Sequence, residues 1–339
     1  MVEMRAILCE TPGTLRLIDR PRPEPRPDEV IVRIRRMGVC GTDLHIFQGK
    51  HPYLDYPRVM GHELAGEIAA AGNGSGLPEG TPVYVMPYLT CGSCVACRQG
   101  KTNCCTTLQC LGVHCDGGMC DYLAMPAGLV FPTDGLPLDQ AALVEFLAIG
   151  AHAARRAEIK GGERTLVVGA GPIGIAAALF ARARGAQVTF LDPRADRLAF
   201  CRDVLRLGDG LVADEGTRER LAALTGGDFF DLVFDATGNT AAMEQSFGWV
   251  AHGGTLVLVG VVRTDIRFSD PDFHKREMTL KGSRNATIDD FREVLDALRS
   301  GAIQVEKLIT HRGRLEDTPA RFPEWIRPET GVVKAMIEL

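Results

Sequence analysis

Apolar and polar residues alternate with a period of two over 5–9, 15–18, 29–36 and 67–71, the pattern of strands that bury one face. Between the second and third of these runs, Pro21, Pro23, Pro25 and Pro27 alternate with charged residues. Their missing amide hydrogens exclude a central strand and predict an extended surface connection. After Leu138 the period changes. Residues 139–157 carry helical spacing, and from Thr165 onward short apolar runs alternate with amphipathic stretches. The runs 165–169, 187–192, 211–213, 232–236 and 255–261 predict successive strands of a mostly parallel sheet, with helices filling the gaps. One more amphipathic helix is predicted over 288–300 and a closing strand over 332–338.

At 339 residues the chain exceeds what one hydrophobic core organises, so two packed domains are expected. Apolar residues at 45% and charged residues at 24% match an ordinary globular protein and exclude disordered, collagenous and membrane compositions. The brief apolar stretch at the N-terminus ends at Glu10, which does not make a signal-peptide core, and a cytoplasmic address with no membrane partner is the expectation. A net charge of -5, spread over residues of both signs, argues against a general nucleic-acid surface and leaves room for local basic groups facing an acidic substrate. Eight of the eleven cysteines bunch between Cys91 and Cys120, which in a reducing compartment points to metal rather than disulfides.

Cys91, Cys94 and Cys97 are spaced as CxxCxxC, and Cys105 follows. Four thiolates close one tetrahedral zinc site with no position left for water, which makes it structural. Spacing alone does not separate Cys105 from its neighbour Cys104. A second set is dispersed: Cys40 in CGTDLH, His62 and Glu63 in GHELAG, and Glu145. Together these offer the mixed sulfur, nitrogen and oxygen donors of a zinc site that keeps a position open for chemistry. GAGPIG, with Gly169, Gly171, Pro172, Ile173 and Gly174, follows a predicted strand and opens a helical run. There the glycines permit a tight turn and close approach to a dinucleotide pyrophosphate at a helix N-terminus. Asp192 ends the next strand where an acidic residue accepts the ribose hydroxyls of NAD and repels the extra phosphate of NADP. Arg194 and Arg197 stand beside it as cations of the kind a 2′-phosphate would use.

CGTDLH, GHExxG, the cysteine comb and the glycine fingerprint occur in an order and spacing that resemble the zinc-containing medium-chain alcohol dehydrogenases, over nearly the whole chain. The resemblance implies an α/β molecule: a GroES-like, β-rich catalytic domain from 1–145 and 285–339, and an inserted Rossmann domain, a doubly wound parallel sheet, over 146–284, with the active site in the cleft between them. It implies Cys40 and His62 as catalytic-zinc ligands, Glu63 as the carboxylate that coordinates in sorbitol-dehydrogenase-like members, and Glu145 at the position where polyol dehydrogenases place a glutamate to bind zinc or its water. Which of Glu63 and Glu145 ligates is open, and Phe146 departs from the proline common after that glutamate. Thr42 and His45 match the proton-relay positions, a hydroxyl followed by an imidazole that carries the substrate proton to water. The resemblance also implies Arg197 near the adenine, Val259 touching the nicotinamide with backbone groups, NAD and two zinc ions per chain as cofactors, and homodimers or homotetramers.

Within that family, segments 268–277 and 282–287, with 111–114, look most like those of bacterial 5-dehydrogenases of L-galactonate and L-gulonate. The carboxylate of a sugar acid needs a cation, which planar Arg284 supplies, with His114 as a second group. The alternative is that Arg284 serves the cofactor or an exposed loop. The expected activity is NAD-dependent oxidation of a secondary alcohol on a sugar acid, with sorbitol, another polyol or L-threonine as the alternative substrates. A non-catalytic nucleotide-binding protein would not need Cys40, Thr42, His45, His62, Glu63 and Glu145 together.

Overall fold

The computed structural model describes residues 2–51 and 54–339. The chain divides into two compact units, one of residues up to 145 together with 304–339, the other of 146–303.

The first unit is built on a seven-stranded sheet. Its long central strand, Glu29–Val39, pairs antiparallel with Glu63–Ala71 on one side and with Lys334–Glu338 on the other. The closing strand predicted over 332–338 is therefore an interior strand, and parallel to it lies Ile309–Arg314, which the hydrophobic pattern did not announce. Register sets the chemistry here. Gly38 is paired with Glu63, and Ala335 with Val39, so Lys334 lies level with the end of the central strand where Cys40 begins. Gly38 has a specific reason to be glycine, since a Cβ there would sit 2.1 Å from Oε2 of Glu63. The expected strands over 5–9 and 15–18 form the antiparallel pair Glu3–Thr11 and Thr14–Pro21 in a separate three-stranded sheet. One apolar cluster, including Ile7, Val32, Ile34, Met37, Met60, Leu64, Phe322 and Ile337, fills this unit. Each such side chain contributes about 1.5–3 kcal/mol of burial.

The second unit holds a six-stranded sheet, every pair of which is parallel. In spatial order the strands are Gly210–Val212, Gln187–Asp192, Arg164–Val168, Phe230–Asp235, Val250–Leu258 and Thr279–Gly282. Counted within the unit this is 3-2-1-4-5-6, the doubly wound order whose reversal point beside the first strand receives a dinucleotide. Five strands match the apolar runs; the sixth, at the edge, is mostly exposed and carried no periodic signal.

Two expectations need correction. The helix read over 139–157 is two helices, Leu138–Ala141 and Val144–Ala157, separated by a turn at Ala142 and Leu143 that no glycine or proline marks. The chain returns to the first unit at 304, not at 285. The reason is the helix Ile288–Arg299, whose buried Asp290 accepts hydrogen bonds from Arg155 Nε at 2.7 Å and pairs with His152 Nδ1 at 2.9 Å, both on the helix Val144–Ala157. Among the described residues, no helix is long and apolar enough to cross a membrane.

Candidate metal and coenzyme sites

Cys40 caps the helix Gly41–Phe47 immediately after the central strand; Glu63 opens the strand beside it and His62 directly precedes it. Donor atoms of Cys40, His62 and Glu63 lie within 4.8 Å of one another. His62 and Glu63 are buried and Cys40 half-buried. Asp43, not singled out from the sequence, is the device behind them: it is fully buried and accepts from the amides of Cys40 at 2.9 Å and Gly61 at 3.3 Å. Its Oδ1 faces Nδ1 of His62 at 3.9 Å, and that nitrogen has no hydrogen-bond partner. At that distance the Asp43 carboxylate acts on the ring through its charge rather than through a hydrogen bond. Burial opposes an imidazolium at His62, yet the charges of Asp43 and Cys40 raise its pKa well above the ordinary value. The pocket thus has a negative potential that a cation satisfies, and its thiolate, imidazole and carboxylate fit zinc with one position open.

Lys334 was also missed. Its ammonium, 2% exposed, bonds both oxygens of Glu63, at 2.6 and 2.8 Å. Burial would lower its pKa, but Glu63 and Cys40 more than compensate and raise it. Removing one member of such a buried pair leaves an uncompensated charge.

Glu145, in the first turn of Val144–Ala157, is buried and stands outside the three-donor group. Its Oε1 accepts from the hydroxyl of Tyr88. Burial raises its pKa, opposed by His62 and reinforced by Glu63. Tyr88 is itself pushed well above its usual value, first by burial and then by Glu145, and stays a donor. Phe146 is packed in the core. Thr42 and His45 are three residues apart on the helix after Cys40, spacing that puts them on one face. Thr42 is half-buried and His45 exposed; partial burial and then Lys50 lower the His45 pKa.

Cys91, Cys94, Cys97 and Cys105 form the second group within 4.8 Å, and Cys104 is exposed outside it, which decides between the two adjacent cysteines. Amides of Ser93 and Cys94 lower the Cys91 thiol to about 5, and amides of Cys97 and Thr106 lower Cys94 to about 7. Burial raises Cys97 to about 12. Two ready thiolates held by backbone donors in a four-sulfur cage fit a closed zinc site.

In the second unit Gly169 has φ +95°, and a Cβ at Gly174 would lie 1.8 Å from the carbonyl of Gly169, so helix and strand meet too closely for a side chain. Pro172 begins the helix Pro172–Ala183, Ile173 follows in its first turn, and Gly171 caps it. Asp192 is buried at the end of its strand; its oxygens accept from the amides of Ala170 and Arg194, each at 2.8 Å, and Arg197 approaches to 3.8 Å. The Arg194 guanidinium is paired with Asp196. Val259 follows its strand and donates its amide to Asp235 O at 2.9 Å. Arg284 is exposed in the second unit, whereas His114 lies half-buried in the first, where its Nδ1 accepts from the amide of Cys110 at 3.0 Å.

Comparison with known proteins matches residues 26–135 to the alcohol dehydrogenase GroES-like domain and 172–300 to the zinc-binding dehydrogenase domain. The L-galactonate-5-dehydrogenase of Escherichia coli K12 is 44% identical, over 92% of this chain and 92% of that one. The alcohol dehydrogenase RspB of E. coli CFT073, solved with NADH, superposes with a TM-score of 0.93 at 29% identity and covers 99% of both chains. A zinc-binding dehydrogenase of Sinorhizobium meliloti 1021, solved with NADP, does so with a TM-score of 0.89 at 27% identity, over all of both chains.

Proposed function

Because the chain belongs to the zinc-binding alcohol dehydrogenase family of enzymes, we propose that it oxidises a secondary hydroxyl of a sugar acid of the L-galactonate or L-gulonate type to the ketone, with NAD as the hydride acceptor. The observation that carries the substrate is the 44% identity to an L-galactonate-5-dehydrogenase across nearly the full length of both chains. The chemistry rests on the buried donor set.

Cys40, His62 and Glu63 hold the catalytic zinc, with the Asp43 carboxylate facing His62 and Lys334 holding Glu63. Cys91, Cys94, Cys97 and Cys105 hold the structural one. When bound, the catalytic ion supplies Lewis acidity that makes the substrate hydroxyl acidic enough to ionise near neutral pH. Thr42 accepts that proton into a relay that His45, exposed and with a lowered pKa, passes to solvent. Glu145 accepts a hydrogen bond from the substrate. Gly169, Gly171, Pro172, Ile173 and Gly174 seat the pyrophosphate, Asp192 takes the ribose, Arg197 lies by the adenine and backbone at Val259 meets the nicotinamide. A buried carboxylate at Asp192 and an Arg194 already paired with Asp196 favour NAD over NADP. Arg284 supplies the cation for the substrate carboxylate. The enzyme works in the cytoplasm as a homodimer or homotetramer on a small-molecule substrate.

The test is the initial rate of NADH formation with L-gulonate, L-galactonate, sorbitol and L-threonine, compared as kcat/KM. Preference for the two sugar acids by about tenfold or more, equivalent to about 1.4 kcal/mol of transition-state binding, is the expected result. Equal or better turnover of sorbitol would discard the acid-specific pocket while leaving the zinc and coenzyme roles standing.

A further inference from the structure

Tyr88–Leu89 and Gln109–Cys110 form a two-stranded antiparallel ribbon that stands apart from the main sheets, with Tyr88 directly opposite Cys110. Directly opposed residues project from the same face of a ribbon. That face meets Glu145 through Tyr88, and Cys110 beside it is a thiol that burial pushes up to about 12. Tyr88 is 1% exposed, and its hydroxyl donates to Oε1 of Glu145. Glu145 arrives from a different element, the first turn of Val144–Ala157, and is the one expected donor left outside the group formed by Cys40, His62 and Glu63.

A carboxylate beside a divalent cation is itself a good zinc ligand. If it coordinated, the protein would supply four donors and the site would be closed, like the cage of Cys91, Cys94, Cys97 and Cys105. We propose that Tyr88 is a positioning residue that tethers Glu145 beside the catalytic metal rather than on it, so that the fourth coordination position stays open and Glu145 remains a hydrogen-bond acceptor for the substrate hydroxyl. This rests on Cys40, His62 and Glu63 being the ligands of the catalytic zinc. The tether is specific to a hydroxyl at position 88, since the ring alone packs equally well but cannot donate.

The test uses the full-length enzyme with cobalt in place of zinc, the visible spectrum reporting coordination and competition with a chelator reporting metal retention. Wild type, Tyr88→Phe, Glu145→Gln and the double variant are compared. In Tyr88→Phe we expect an altered spectrum of the catalytic cobalt, release to the chelator slowed by about tenfold as Glu145 moves onto the ion, and a similar fall in kcat; NADH affinity, read by fluorescence, stays unchanged. In the Glu145→Gln background the same tyrosine change should alter neither spectrum nor release. Glu145→Gln alone should release cobalt at the wild-type rate, which tests the tether even if Tyr88→Phe folds poorly. Faster release from Glu145→Gln would mean that Glu145 is already a ligand, and a Tyr88→Phe enzyme identical to wild type would mean that the hydroxyl only satisfies a buried carboxylate. Either overturns the proposal. Binding of one cobalt per chain instead of two would instead overturn the metal-site reading beneath it.

Discussion

Each carboxylate oxygen of Asp192 accepts one amide, from Ala170 in the glycine turn and from Arg194 beyond the strand. At the residue scale this one side chain thus joins the glycine turn to the proposed ribose site, where its charge would face a 2′-phosphate. Replacing it with alanine removes the repulsion. The ratio of kcat/KM for NADP to that for NAD should rise by about 10- to 100-fold, or about 1.4–2.8 kcal/mol, with part of the change coming from weaker NAD binding. An unchanged ratio in Asp192→Ala would remove Asp192 from the coenzyme site. Lys334 and Asp43 belong to the same scale. Lys334 lies in no recognisable motif and Asp43 sits inside CGTDLH without a motif role of its own; each matters because of what the fold brings to it: Glu63 from the far side of the central strand, and the amides of Cys40 and Gly61.

At the scale of elements, the helix Ile288–Arg299 is held to Val144–Ala157 through Asp290, which also closes a capping box with Thr287. Burial works against the Asp290 carboxylate, but hydrogen bonds from His152, Arg155 and Thr287 outweigh it and hold its pKa far below the ordinary value. Because the folded pKa is depressed, the stabilisation is complete above the unfolded value of about 3.9 and is lost as pH falls from there toward the folded value. Asp290→Asn should cost about 1–3 kcal/mol at pH 7, since the amide keeps the shape but loses the charge-assisted hydrogen bonds from His152 and the solvent-exposed Arg155. Urea unfolding over a pH series should show the gap between the two proteins narrowing only below about pH 4. A gap that shrinks between pH 8 and 6 would assign the coupling to another group.

For the whole molecule the informative quantity is metal content. The four-cysteine group and the Cys40 group are separate clusters of donors in the first unit, so they should load independently. Wild type should carry two zinc ions per chain by elemental analysis. Cys40→Ser should carry one and lose about three orders of magnitude of turnover, since the acidified hydroxyl depends on that ion. Retention of two ions with full activity would refute Cys40 as a ligand.

Features that are local in sequence were legible before folding. The CxxCxxC comb sits on one short loop and helix; the glycine turn, its strand and its helix are consecutive; and Asp192 closes the next strand. Alternation and helical spacing likewise announced the buried strands and the amphipathic helices, because burial of one face is what those periods encode. Tertiary structure decided what depends on register and on segments distant in sequence. The edge strand Thr279–Gly282 and the strand Ile309–Arg314 bury too little apolar surface to leave a pattern, and the return at 304 goes with hydrogen bonds to Asp290 across 135 and 138 positions. Spacing could not tell Cys105 from Cys104, whereas the folded loop admits only Cys105 to the cage. The ligand environment is the clearest case. Residue types nominated Cys40, His62, Glu63 and Glu145 together, but pairing of three strands put Lys334 on Glu63, and a small separate ribbon put Tyr88 on Glu145. Charges and hydrogen bonds act through space, so their partners are set only once the chain has closed.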